Sequence, residues 1–388
     1  MWNYGYAIHS LFILFIVLLF YFSLPRLSIR INKIFLYLLW MESAVLFFDI
    51  VSSWADSNLS EVSLVLAHFL NVCYFAFFFC RALAFFEFVA VVFKRDYTSN
   101  RLVLALVSLP FIIPFIFTLI SPWTGLIYNL DGREYHNGPF YFLLYYVSYF
   151  YLAFSLYITF VYRHVVRRRY FYAMILYNFV LIAGIIFRKV FPSYLLMDSF
   201  CLTAIITAYL TFGNPEFYLE TRGKIFNHNA FRDYFEEQNG KLNHKILGIV
   251  IHNYTEMRDI YGGRQLDQGL TLISQYLLSA FPEYDAFYYR NGRFFLVSDK
   301  EMPLEDAVTI IKERFKHPWV SENFEIYLEV AFAGVIVNGK VASSDFLLST
   351  LMDAMEKADK SDLEETVVVT EKELNESVYK AAIKKSLE

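Results

Sequence analysis

The chain has 388 residues, 57% of them hydrophobic and 20% aromatic, with three cysteines and a formal net charge of −4 at pH 7. That is long enough for two domains and too apolar for an ordinary soluble one. The charge divides unevenly: the stretch up to Phe212 holds 14 Lys/Arg against 9 Asp/Glu, and the remainder holds 20 against 29. The two parts belong in different solvents.

Seven apolar stretches reach the roughly 20 residues that a helix needs to cross a ~30 Å hydrocarbon layer. They run Ala7–Leu24, Ile34–Ala55, Val62–Phe93, Leu102–Ile120, Phe140–Tyr162, Tyr170–Phe187 and Tyr194–Phe212. The first has no basic leader and no small-residue cleavage site, so it is expected to be retained as a span. Cys73, Cys80 and Cys201 lie inside these runs and read as small hydrophobes, not as disulfide partners or metal ligands.

The connecting loops alternate in charge, which sets direction through the excess of Lys and Arg on cytoplasmic loops. Arg26, Arg30 and Lys33 follow the first span, Lys94, Arg95 and Arg101 the third, and Arg163 with Arg167, Arg168 and Arg169 the fifth. Asp56 and Glu61 follow the second, and Asp131 and Glu134 with a single Arg133 follow the fourth; only Arg188 and Lys189, after the sixth, dissent. The pattern predicts an outside N-terminus and a cytoplasmic segment after Phe212.

Several polar residues interrupt the spans: Glu42, Asp49, His68, Asn71, Arg81, Glu87, Asn178 and Asp198. Ionisable groups at such positions are costly and must face the bundle interior or reach an interface. At ~1.5 Å per residue, Asp49 and His68 lie at similar depth and are expected to pair, while Arg81 is near enough to the inner boundary to snorkel. The alternative is that Asp49, His68 and Asn71 line a sensor cavity. The long outer loop carries two β-capable runs around Asp131-Gly132, suited to a tight hairpin. It is either a lid over the bundle mouth or a connector whose Trp123 and Tyr128 sit at headgroup level. No pair of short, Gly/Pro-broken segments marks a transporter, although Pro110 and Pro114 are positioned to kink the fourth helix.

After Asn214-Pro215 short β-runs alternate with amphipathic helices, an α/β or α+β pattern. The strand KILGIVI precedes a helix from Tyr254 through Phe281, and AFYYR and RFFLV flank Asn291-Gly292, a strong hairpin signal. A helix near Leu304–Lys316, a strand EIYLEVAFAGVIV, a helix near Asp345–Ala358 and a strand TVVV complete the order.

That order, with several weak motifs, resembles the GGDEF domain of diguanylate cyclases, a resemblance that implies an α+β fold with a mostly antiparallel central sheet. GKIFNHNAF is similar to the family's LTGLxNRxxF, keeping Ile225, Asn227 and Phe231. VIHNYTEMRDIYGGRQLDQGL is similar to DxDxFKxxNDxxGHxxGDxxL, keeping Tyr254, Asp259, Tyr261-Gly262 and Asp267, and LMDAMEKAD resembles ADxALYxAK. RNGRFF stands where the signature would be, as Asn291, Gly292, Arg293, Phe294 and Phe295. The resemblance implies two metal ions holding GTP for attack of a ribose hydroxyl on a second GTP, with the metals on hard oxygen ligands. The positions it implies for those ligands read Val250, Arg293 and Phe294. Metal-dependent cyclisation is therefore expected to be lost; Mg²⁺ would matter only to residual cyclase activity, and no other cofactor is expected. Arg258, Asp267 and Arg293 remain as nucleotide-binding candidates, Arg293 because a guanidinium can hold phosphate without a metal. The family's product-inhibition RxxD reads Pro282 to Asp285 and lacks its Arg.

The expected division is thus a seven-helix membrane sensor (1–212), a linker (213–220), a degenerate GGDEF-like domain (221–370) and a connector helix (371–388) with Leu374, Val378 and Leu387 near one stripe. Three functions are open. The chain is a non-catalytic receptor of the cyclic di-GMP type, an active diguanylate cyclase, or the front of a longer phosphodiesterase. Its expected partners are the lipid bilayer of a bacterial inner membrane and either its own copy or a downstream cyclic di-GMP enzyme, with GTP as a candidate ligand; nucleic acid is not among them.

Overall fold

The computed structural model describes residues 5–131, 134–191, 194–220, 225–238, 244–298, 304–321, 324–337, 344–360 and 366–369. The connector helix expected at 371–388 lies outside the described residues. The chain divides into two compact units: the first comprises the residues up to Ser23 and Arg30–Asn214, the second Leu24–Ile29 and the residues from Pro215 on.

The first unit is helical: α1 (Gly5–Phe22), α2 (Arg30–Ser57), α3 (Leu64–Val92), α4 (Arg101–Thr124), α5 (Leu143–Val161), α6 (Arg168–Val190) and α7 (Met197–Ala208). The first six are long and apolar enough to cross a membrane. The seventh falls short of the expectation, because its α-helical part has only 12 residues and continues as a five-residue π turn, Tyr209–Gly213. Gly213 closes that turn against the Phe35 ring, where an added Cβ would stand 2.9 Å from a ring carbon.

Helix α3 is the centre of the bundle, with 61% of its apolar window buried against 17% for α4. Its side chains supply much of the interior, including Phe75, Phe78, Phe79, Phe86 and Phe88. The ends obey local chemistry: Ser63 caps α3 by accepting from the Leu66 N–H, and Gly125 ends α4 in the left-handed conformation at φ 66. The α4–α5 connection pairs β1 (Tyr128–Asn129) with β2 (His136–Asn137), with six residues between the strands in place of the expected tight turn at Asp131-Gly132. Its Gly132 lies outside the described residues. Tyr128 is not an interfacial anchor; it is fully buried, stacked 5.6 Å from Phe75, whereas Trp123 is exposed.

The second unit contains α8 (His228–Gln238), β3 (His244–Ile251), α9 (Tyr254–Tyr261), α10 (Gly263–Ala280), β4 (Asp285–Tyr288) and β5 (Arg293–Ser298). These are followed by α11 (Leu304–Phe315), β6 (Trp319–Ser321), β7 (Phe324–Ile326), β8 (Val330–Val337), α12 (Ser344–Lys360) and β9 (Thr366–Val369). The sheet is mixed, in the order β4-β5-β3-β8-β9: three pairings are antiparallel and β8 with β9 is parallel. Two expected elements are broken. The helix read as continuous from Tyr254 splits at Gly262, which adopts φ 78, and the run from Glu325 splits into β7 and β8.

The period-two alternation of the strands gives the sheet two apolar faces. Leu247, Ile249 and Ile251 pack with Leu266, Leu270 and Ile273 of α10 and with Ile311 of α11. Gly248, one residue out of phase, faces α12, where an added Cβ would stand 3.0 Å from Met355. Phe295 shares that second face and meets Phe231 of α8 at 4.8 Å.

Candidate functional site

Two places in the molecule concentrate polar chemistry. In the helical unit, Arg81 of α3 is buried and its Nη1 donates to Asp198 Oδ1 of α7 at 2.6 Å and to Glu42 Oε2 of α2 at 3.3 Å. Its guanidinium also lies 5.0 Å from the Phe78 ring centre. Asp49, two turns from Glu42 on α2, interacts with Asp198 and with Arg188 of α6. Arg188 in turn donates to the Tyr74 hydroxyl at 2.8 Å. Three carboxylates and two guanidiniums from α2, α3, α6 and α7 thus form one network, and burial of such charges is tolerable only because they meet one another. Asp49 Oδ2, Asp198 Oδ2 and Arg81 Nη2 have no hydrogen-bond partner among the described residues.

This arrangement corrects three expectations. Arg81 does not snorkel. Arg188 is not a loop residue: it belongs to the last turn of α6 and reaches Tyr74. Among the described residues Asp49 and His68 do not pair: Asp49 joins the arginine network, while His68 and Asn71, one turn apart on α3, meet other partners. Asn71 donates to Asp56 Oδ1 at 2.7 Å, while a His68 ring nitrogen lies 3.3 Å from the Tyr128 hydroxyl, which donates to the His68 carbonyl at 3.0 Å. The network left a signal in the sequence: Glu42 and Asp49 are seven residues apart on α2, as Tyr74 and Arg81 are on α3, and a seven-residue spacing returns to the same face of a helix.

In the second unit the site is the β4–β5 hairpin and the cleft beside it. Asn291 and Gly292 both adopt positive φ, 52 and 70, and the Arg293 N–H donates to the Arg290 carbonyl at 3.2 Å. This is the geometry of a tight two-residue hairpin turn. Position 292 also has no room for a side chain, since a Cβ there would stand 2.6 Å from the Tyr254 ring.

The register sets Val250 opposite Arg293 and Ile249 opposite Phe294. Arg293 therefore shares the α12 face with Val250, whereas Phe294 turns to the other face, fully buried and 5.1 Å from the Tyr288 ring. Of the three departures from the metal-ligand pattern, two stand at the cleft and the third is core. A cleft of about 310 Å³ is lined by Val250, Asn253, Glu256, Asn291, Arg293 and Asp359, among others. A His252 ring nitrogen lies 2.9 Å from Asp359 Oδ1, and the other lies 2.9 Å from Asn253 Nδ2. On α12, the Lys360 ammonium at 2.6 Å holds the Glu356 carboxyl below its usual range, with Arg293 adding to the pull.

One guanidinium thus faces carboxylates contributed by different elements, and the pair that would have to hold a metal is an apolar and a cationic side chain. The residues present do not fit a metal pair. Among the described residues no three His, Cys, Asp or Glu side chains form a metal-holding group. Arg258 is exposed on α9 and Asp267 lies on α10; neither lines the cleft that Arg293 enters.

Solved structures similar to the C-terminal part of the chain are GGDEF domains. The FimX GGDEF domain from Pseudomonas aeruginosa is 12% identical with a TM-score of 0.36, over 39% of this chain and 99% of that one. The coiled coil and GGDEF domain of DgcB from Caulobacter crescentus, solved in complex with c-di-GMP, is 15% identical with a TM-score of 0.37, over 45% and 97%. A diguanylate cyclase/phosphodiesterase from Caldicellulosiruptor saccharolyticus is 15% identical with a TM-score of 0.34, over 39% and 92%. No protein-family profile and no curated protein matches the chain.

Proposed function

We propose that this protein is a multi-pass membrane receptor of the cyclic di-GMP signalling type, in which the helical bundle receives a signal and a GGDEF-like domain without metal ligands relays it. The observation that carries this reading is the Val250–Arg293 pair across β3 and β5, which puts a hydrocarbon and a cation where a metal pair would need carboxylates. The partner of the relay is a second copy of the chain or a downstream cyclic di-GMP enzyme.

The bundle crosses the membrane seven times in this reading, α7 and its π turn together supplying 17 residues, the short end of the spanning range. The alternating loop charges support an outside N-terminus and a cytoplasmic second unit. They do so more strongly once Arg188 is counted as a helix residue bound to Tyr74. The sensing element is the Glu42–Arg81–Asp198 network with Asp49 and Arg188, in place of a cavity of Asp49, His68 and Asn71.

The cleft acts as a scaffold. Glu256 and Asp359 line it beside Arg293, and their carboxylates oppose a triphosphate. The full chain incubated with GTP and Mg²⁺ or Mn²⁺ is expected to yield no cyclic di-GMP, and appearance of that product would sink the proposal. A metal-free GTP titration is expected to be silent. Saturable binding abolished by Arg293→Ala would instead make the domain a nucleotide sensor.

A further inference from the structure

A second cleft, of about 360 Å³, opens at the N-terminal end of α2. Arg30, Lys33 and Tyr37 of α2 line it, with Glu87 of α3 and with Tyr97 and Thr98 from the loop after α3. The acids near it are engaged within the protein, and Asp96 also attracts Arg30. The Tyr97 hydroxyl donates to Glu87 at 2.5 Å, and Asp96 accepts from the Thr98 N–H at 3.0 Å and the Thr98 hydroxyl at 2.6 Å. Burial, then the Glu87 contact, push the Tyr97 phenol upward, so it stays a donor. Lys33 and Tyr37, by contrast, make no hydrogen bond or ion pair among the described residues.

The cleft lies where a membrane boundary would fall. Helix α2 has 28 residues, about 42 Å at 1.5 Å per residue, against a hydrocarbon layer of about 30 Å. Its first turn, with Arg30 and Lys33, therefore stands at headgroup level, and Tyr37 lies about 10 Å further along, near the acyl chains. Tyr37 and Trp40, one turn on, are both exposed, so the cleft continues into a lipid-facing stripe. Ile34 and Val91 form its apolar wall.

We infer that this cleft binds the phosphodiester headgroup of an anionic glycerophospholipid. Lys33, Arg30 and the Tyr37 hydroxyl face the phosphate, while Ile34 and Val91 cover the glycerol and the first acyl carbons. A free phosphate offers the same charge but leaves that apolar wall uncovered, so the lipid is the better-matched source. The inference needs only membrane insertion, so it stands or falls independently of the cyclase assay.

Full-length protein in phosphatidylcholine nanodiscs, titrated with phosphatidylglycerol and read by native mass spectrometry after extraction, tests it. The wild type is expected to retain phosphatidylglycerol over phosphatidylcholine. Arg30→Gln with Lys33→Gln is expected to lower that retention on the order of tenfold. Tyr37→Phe, which removes one hydroxyl and leaves the fold intact, is expected to lower it by a smaller factor. Arg168→Gln with Arg169→Gln, basic residues outside the cleft, is expected to leave it unchanged. Equal retention by the Arg30/Lys33 variant, equal loss in the Arg168/Arg169 variant, or displacement of the lipid by millimolar inorganic phosphate would each overturn the inference.

Discussion

The two units treat buried polar groups on opposite terms. In the helical unit Glu42, Asp49, Arg81, Asn178 and Asp198 are all buried, each at 3% exposure or less. In the second unit the buried polar residues among those described are hydroxyls only: Ser274, Ser298, Ser344 and Thr350. A hydroxyl in a helix is easily satisfied by its own backbone, as Ser274 is by the Leu270 carbonyl at 2.8 Å. A buried guanidinium has no such local remedy and commits several helices to one arrangement. The domain whose resemblance implies ionic chemistry has an apolar interior, and the unit that a membrane would surround holds the charges.

The largest effect that would break this contrast is expected from Arg81→Met. It strands Glu42 and Asp198 without their cation and should cost about 3–5 kcal/mol, read as a lowered unfolding temperature of the full chain in detergent. An unchanged temperature would mean that the network does not hold the helices. Next comes Phe294→Glu, which puts a carboxylate into the sheet's α10 face and should cost at least about 3 kcal/mol. Its neighbour Arg293→Glu points into the cleft and should cost less than about 1 kcal/mol. Limited proteolysis of the second unit across a urea series compares the two; similar losses would contradict the opposite-face register.

Gly292→Ala is expected to cost roughly 2 kcal/mol in the same assay, from the left-handed φ and the Tyr254 ring together. The smallest effect belongs to Asp359→Asn, which weakens a half-exposed contact to His252 and should stay below about 1 kcal/mol. A larger loss would show that the His252–Asp359 contact organises the cleft.

Much of this architecture was legible from pattern. Runs of apolar length located the helices, and Asn291-Gly292 located the hairpin, because each is a local constraint of length or of φ. What the sequence hid is azimuthal or non-local. Depth arithmetic placed Asp49 and His68 level with each other but said nothing about which way each helix turned them. Asp198 meets Arg81 across 117 residues, a distance no local spacing encodes. The break at Gly262 was overridden by the apolar periodicity on either side of it. At the hairpin, three departures read as equivalent in one dimension separate in three, because neighbours along a strand face opposite sides of the sheet.

The turn at Gly292 also bears on how such signatures are read. Here the glycine answers to an aromatic ring pressed against the backbone, a demand that holds whatever the neighbouring cleft does or does not bind. The steric letters and the chemical letters of one motif are therefore free to diverge. In this protein, a glycine at that turn reports on Tyr254 and is silent about GTP.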